Sequence, residues 1–168
     1  MAQKDLIIRE KISHSGVFSF GSFYGFMHGW LKEEGYGVTE EKYGEKIGGD
    51  SRDISADWKA TKDLTEYFRI ELKINMKVNG LSDVEVEIDG TKKQMQKGEV
   101  EVDLGGFLIR DPDSAWDGNP FLRFLRDVYN KYIISARIED MEGKVDTVIK
   151  DLKEELKAFL ELSGRRQI

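Results

Sequence analysis

Tyr67-Phe68-Arg69-Ile70-Glu71-Leu72-Lys73-Ile74-Asn75-Met76-Lys77-Val78-Asn79 is the stretch that decides how the rest of the chain is read. Phe68, Ile70, Leu72, Ile74, Met76 and Val78 take every second position, and polar or charged side chains take the positions between them. A helix would scatter these apolar groups around its circumference, whereas a strand gathers them on one face. The stretch is therefore expected to be a long antiparallel strand with one dry and one wet face. Toward the C-terminus, Val84-Glu85-Val86-Glu87-Ile88 repeats the pattern, and Asp89-Gly90 supplies the pair of positive φ angles that a two-residue hairpin turn requires. The return strand starts near Thr91 and runs through Val100, Val102 and Leu104 to Ile109. Gly98 is expected to mark a bulge in it, and Gly105-Gly106 a bend that lets the sheet curl.

The same alternation appears on the N-terminal side. Ile54, Ala56, Trp58 and Ala60 alternate within Asp53 to Thr61, and Val38 to Ile47 reads as a further strand. Leu6, Ile8 and Ile12 predict a first strand with one solvated face. Between that strand and the others lies a helical pattern, capped by Ser19 or Ser22 and stopped at Gly35, that places Phe23, Met27, Trp30 and Leu31 toward a core. Asn119-Pro120 is a good helix start, and helical spacing continues from Phe121 to Leu162. A straight helix of that length would measure roughly 60 Å at about 1.5 Å per residue, so a break is expected near Ser135 or Gly143.

Composition mainly excludes. The chain has 168 residues, with Lys+Arg 26 against Asp+Glu 32 and a formal net charge of −6, which argues against a nucleic-acid partner. With 39% hydrophobic and 11% aromatic residues it reads as a globular chain and not a disordered one. Zero cysteines rule out a disulfide scaffold, a thiolate metal site and a cysteine nucleophile, and two histidines, His14 and His28, leave little for a zinc site or a serine triad. Met1 to Glu10 carries Lys4, Asp5, Arg9 and Glu10 with no long apolar core, so it does not read as a secretory signal. The most apolar stretch, Gly16 to Leu31, is 16 residues and falls short of the roughly 20 that span a bilayer. A cytoplasmic location is the expectation. No phosphate-binding glycine loop, nucleophile elbow or metal-ligand spacing occurs.

These elements assemble into an α+β domain covering residues 1–168: a curled antiparallel sheet of about six strands wrapped around a long C-terminal helix, with a short N-terminal helix. That order resembles the helix-grip superfamily of START and polyketide-cyclase-like proteins. Tyr67-Phe68-Arg69-Ile70-Glu71-Leu72 and Arg137-Ile138-Glu139 also look like runs in a group of uncharacterised small archaeal proteins. The helix-grip resemblance implies a cavity between sheet and helix that holds an apolar ligand. The continuous first helix, in place of a pair of short ones, and a C-terminal helix longer than the sheet needs are the departures from that pattern.

The leading expectation is a non-enzymatic domain that binds a small apolar or lipid-like molecule. Phe23, Met27 and Trp30 would line the cavity from the first helix, Trp58, Phe68, Ile70 and Leu72 from the sheet, and Val128, Tyr129 and Tyr132 from the long helix. No catalytic residue, metal or cofactor is assigned; Tyr129 and His28 are the nearest candidates for chemistry. The alternative is an assembly or interaction module in which residues 138–162 project and pair with another copy through near-heptad apolar spacing.

Several features have a functional and a plain reading. Gly21, Gly25 and Gly29 recur on one helical face, which suits either close packing on the chain's own elements or a partner backbone. Membrane contact by the aromatic run around them is disfavoured, because the segment's cationic side chain, Lys32, is outnumbered by Glu33 and Glu34. Glu85, Glu87 and Asp89 on one hairpin arm and Glu99, Glu101 and Asp103 on the other suggest a solvated face before a cation site. Trp116 in Asp111 to Asp117 is either a lid or an anchor for its loop.

Overall fold

A computed structural model describes residues 3–111, 119–128 and 135–165. Strand β1 (Gln3–Val17) leads into helix α1 (Phe20–Glu33), followed by β2 (Gly37–Gly48), β3 (Ser51–Asp63), β4 (Phe68–Ile88), β5 (Thr91–Arg110), α2 (Pro120–Val128) and α3 (Ser135–Arg165). The strands form one antiparallel sheet in the order β1-β5-β4-β3-β2. The architecture is thus α+β, with a curled sheet, a long C-terminal helix and two shorter helices.

The strand number is five, not about six, because the two alternating runs on either side of Gly80 are one strand. Between Asn79↔Glu99 and Ser82↔Lys97, Gly80 and Leu81 both stand opposite Gly98. The extra residue sits in β4, while the return strand supplies the room for it. A Cβ on Gly98 would lie 3.1 Å from Leu81 Cα and 3.2 Å from the Asn79 carbonyl oxygen. Gly80 takes φ 64, and its amide donates to the Asp53 carboxylate at 2.9 Å. Beyond the bulge the turn is as expected, with positive φ at both Asp89 and Gly90.

A second bulge corrects the reading of β1. The register moves between Leu6↔Phe107 and Ile8↔Gly106, and the added residue turns Leu6 to the outer face, where it is 54% exposed. Ile12 is buried, and Ile8 lies against the Gly106 position on the inner face. At Gly106, α3 lies directly against the sheet: a Cβ there would meet Val145 and Ile149 at 2.7 and 2.8 Å.

The helical pattern from Phe121 to Leu162 resolves into α2 and α3. Ser135 is a helix start, whereas Gly143 passes through α3 without interrupting it. The apolar stripe of α3 (Met141, Val145, Ile149, Leu152, Leu156 and Leu160) is buried on β1 and β5, so the stretch 138–162 directs its apolar face into the chain's own core. Helix α1 covers the β2 side of the sheet. Ser19 caps it by accepting from the Ser22 amide, and Phe23, Met27 and Leu31 are fully buried. Phe159 joins the two helices, stacking on Phe26 with ring centroids 4.8 Å apart.

The hairpin register also separates the two acidic sets. Glu85 and Glu87 stand opposite Gln94 and Lys92, while Glu99, Glu101 and Asp103 stand opposite Asn79, Lys77 and Asn75. Carboxylates therefore face amides and ammoniums across the ladder, not one another, which keeps like charges from standing opposite.

Candidate functional site

Where α1 ends, the chain must turn sharply to start β2. Gly35 provides this with φ 90, and the turn carries Tyr36 down against the core, its amide donating to the Leu31 carbonyl at 2.9 Å. The C-terminal end of β3 arrives alongside. Lys62 reaches across to donate to the Glu34 carbonyl at 2.8 Å, satisfying one of the orphan acceptors at the end of α1. Its ammonium also lies 5.6 Å from the centre of the Tyr36 ring. The flank of α3 forms the facing wall.

Between these elements lies an open cleft of about 540 Å³. Tyr36, Leu64, Ile70 and Val148 give it an apolar floor, and Gly143 and Thr147 leave the α3 wall low. No atom lies within 4 Å of a Cβ placed on Gly143, so this side is open. Glu34, Glu139, Asp140 and Asp151 ring the mouth together with Lys62 and Lys144. Burial pushes the Tyr36 hydroxyl up to about 12, with a smaller contribution from the Glu34 carboxylate, so the phenol stays neutral and able to donate.

The ten residues expected to line a cavity divide clearly. Phe23, Met27, Trp58, Phe68, Ile70 and Leu72 are all buried in the core cluster, and Ile70 also lines the cleft. Trp30 packs against the core while half-buried, and Val128 is half-buried on α2. Tyr129 and Tyr132 lie outside the described residues, as does Trp116. Tyr36, Leu64, Lys62 and Val148 were not singled out as site residues by sequence reasoning. Gly35-Tyr36 after a helix stop was the available signal for one of them; Leu64 and Lys62 reach the cleft through the end of β3, which periodicity does not locate.

Trp58 and His28 belong to a different cluster, where α1 meets β2 and β3. The Trp58 indole nitrogen donates to the Tyr24 oxygen at 3.1 Å, the Tyr24 hydroxyl donates to the Glu40 carboxylate, and the two rings meet edge to face at 4.6 Å. His28 packs edge-on to the same indole at 5.7 Å. Burial, followed by the bond to Glu40, raises the Tyr24 hydroxyl to about 12. These groups bond to one another and tie the first helix to the sheet.

A Cβ placed on Gly21, Gly25 or Gly29 meets nothing within 4 Å, so of the two readings of these glycines, close packing on the chain's own elements does not occur. Among the described residues, no group of three or more His, Asp or Glu side chains is placed to hold a metal ion. No helix among them is long and apolar enough to cross a membrane. No family model, curated protein or solved structure matches the chain.

Proposed function

We propose that the chain is a non-enzymatic binding domain that takes a small molecule with an apolar body in the cleft between the sheet and α3. The observation carrying this reading is the cleft itself, whose volume of about 540 Å³ falls among those of small-molecule sites and whose floor is aromatic and aliphatic. The strand-helix-sheet-helix order that resembles the helix-grip superfamily supports it, since that resemblance implies a ligand space at this junction. Assembly through the apolar face of α3 is less well supported, because that face is already occupied by the chain's own core.

Native mass spectrometry of the purified protein tests both readings at once. The expected result is a monomer that retains a small apolar adduct or takes up an added aromatic probe, and that loses this capacity when Val148→Trp fills the floor without changing the thermal unfolding midpoint. A stable dimer with no uptake by the wild type would overturn the proposal.

A further inference from the structure

The cleft offers more than an apolar floor, and carboxylates outnumber ammoniums at its mouth. Four carboxylates, from Glu34, Glu139, Asp140 and Asp151, stand at the mouth against the ammoniums of Lys62 and Lys144. None of the four carboxylates makes an ion pair among the described residues. Lys62 is already engaged, held by the Glu34 carbonyl at 2.8 Å. Helix α1 also ends at this mouth, and the last carbonyls of a helix carry its partial negative charge. The π face of Tyr36 adds a third cation-favouring element, and it already has an ammonium over it: Lys62 Nζ lies 5.6 Å from the ring centre. Carboxylates, helix end and aromatic face come from two parts of the chain, the turn after α1 and the flank of α3, and converge on one opening.

From this convergence we infer that the cleft selects ligands that carry a positively charged amine on an apolar body, over anionic or neutral ligands of the same shape. The inference rests on the reading of the cleft as a ligand site. The apolar part occupies the floor at Ile70 and Val148, and the ammonium stays at the mouth, partly hydrated, between the α1 end and Asp140 or Asp151. An amine kept there retains much of its hydration, so no buried charge has to be compensated.

Two probes of equal size and opposite charge, 2-naphthylmethylamine and 2-naphthoate, test the inference by calorimetry or by NMR titration of the full chain at neutral pH. The amine is expected to bind about tenfold more tightly than the carboxylate at low salt, and this preference should shrink as added salt screens the exposed mouth. Asp140→Asn combined with Asp151→Asn should collapse the preference and leave the carboxylate's binding equal or improved. Glu154→Gln combined with Glu155→Gln changes the net charge by the same amount elsewhere on α3 and should leave the preference intact. Equal binding of both probes, or a preference that survives the Asp140 and Asp151 substitutions, would overturn the inference and leave the cleft standing as a site. If neither probe binds the wild type, the reading of the cleft fails and takes the inference with it.

Discussion

Helices α2 and α3 are both amphipathic in sequence, yet they use their two faces in opposite ways. In α3, the stripe from Met141 to Leu160 is buried on the sheet and its charged residues face solvent. In α2, Phe121 and Phe124 are 67% and 62% exposed and Leu125 is also exposed, whereas Arg126 is 8% exposed. Arg126 turns its guanidinium toward Asp111, which is also buried, at 3.7 Å. Asp111 is itself fixed by its amide, which donates to the Tyr67 carbonyl at 2.8 Å. Periodicity therefore identifies a helix, but which face it covers depends on what the helix finds opposite. Helix α3 finds the dry face of a sheet; α2 finds a carboxylate at the end of β5.

Core truncation should give the largest contrast between the two helices. Leu152→Ala in α3 is expected to lower the free energy of unfolding by about 2–5 kcal/mol in urea titrations, because the site is fully buried between helix and sheet. Phe124→Ala in α2 should change it by no more than about 0.5 kcal/mol. A comparable loss at Phe124 would mean that its exposure misrepresents what holds α2. The next effect should come from the polar contact. Arg126→Met leaves the Asp111 carboxylate buried without its guanidinium, at a cost of about 3 kcal/mol, and adding Asp111→Asn should recover much of that. No recovery would show that Arg126 acts through packing alone. A smaller loss, about 1–3 kcal/mol, is expected for Gly106→Ala, since the new methyl group would press on Val145 and Ile149 and lift α3 from β5. The same substitution at Gly143, where nothing lies within 4 Å, should be neutral or slightly stabilising.

What the sequence made legible follows the same division. The period-two run in β4, the Asp89-Gly90 turn, a serine cap at Ser19 or Ser22 and the α3 stripe could be read because each is a local pattern whose physical requirement lies within a few residues. The bulges could not. The sequence marks Gly98 as irregular, but whether the extra residue lies in that strand or across from it depends on pairing with Asn79 to Ser82. Leu6 shows the limit more sharply: its spacing from Ile8 is right for one face, and one inserted residue places the two side chains on opposite faces. The cleft was legible only as a general location between sheet and helix. Its floor comes from Tyr36, Leu64 and Val148, which converge from separate parts of the chain. The aromatics that drew notice in the sequence are mostly core, because large side chains near one another fill space before they enclose it.

Titration extends the contrast between buried charge and buried apolar surface to the sheet. Glu71 lies on the outer face of β4 but is buried between Lys4 and Lys59, the latter at 3.2 Å. Burial is the largest single influence and by itself would raise the carboxyl, but the two ammoniums together hold it below the ordinary carboxylate value. The folded protein thus binds this proton less readily than the unfolded chain does. The stabilisation from Glu71 is fully present above the unfolded carboxylate value of 4.5 and is lost as pH falls through the lower folded one. His14 on β1 also titrates below its ordinary value, chiefly through burial, with the Glu161 carboxylate and a backbone hydrogen bond partly opposing the shift. Here the neutral form is the one the fold favours, so stability should be highest above pH 6.5 and decline as pH falls below it. Urea midpoints measured from pH 8 to pH 3 should therefore show a shallow loss beginning below 6.5 and a second below 4.5. His14→Gln should abolish the first and Glu71→Gln should flatten the second. If His14→Gln leaves the upper step in place, another group carries it, and the solvation of His14 between β1 and the C-terminal part of α3 must be more complete than its burial implies.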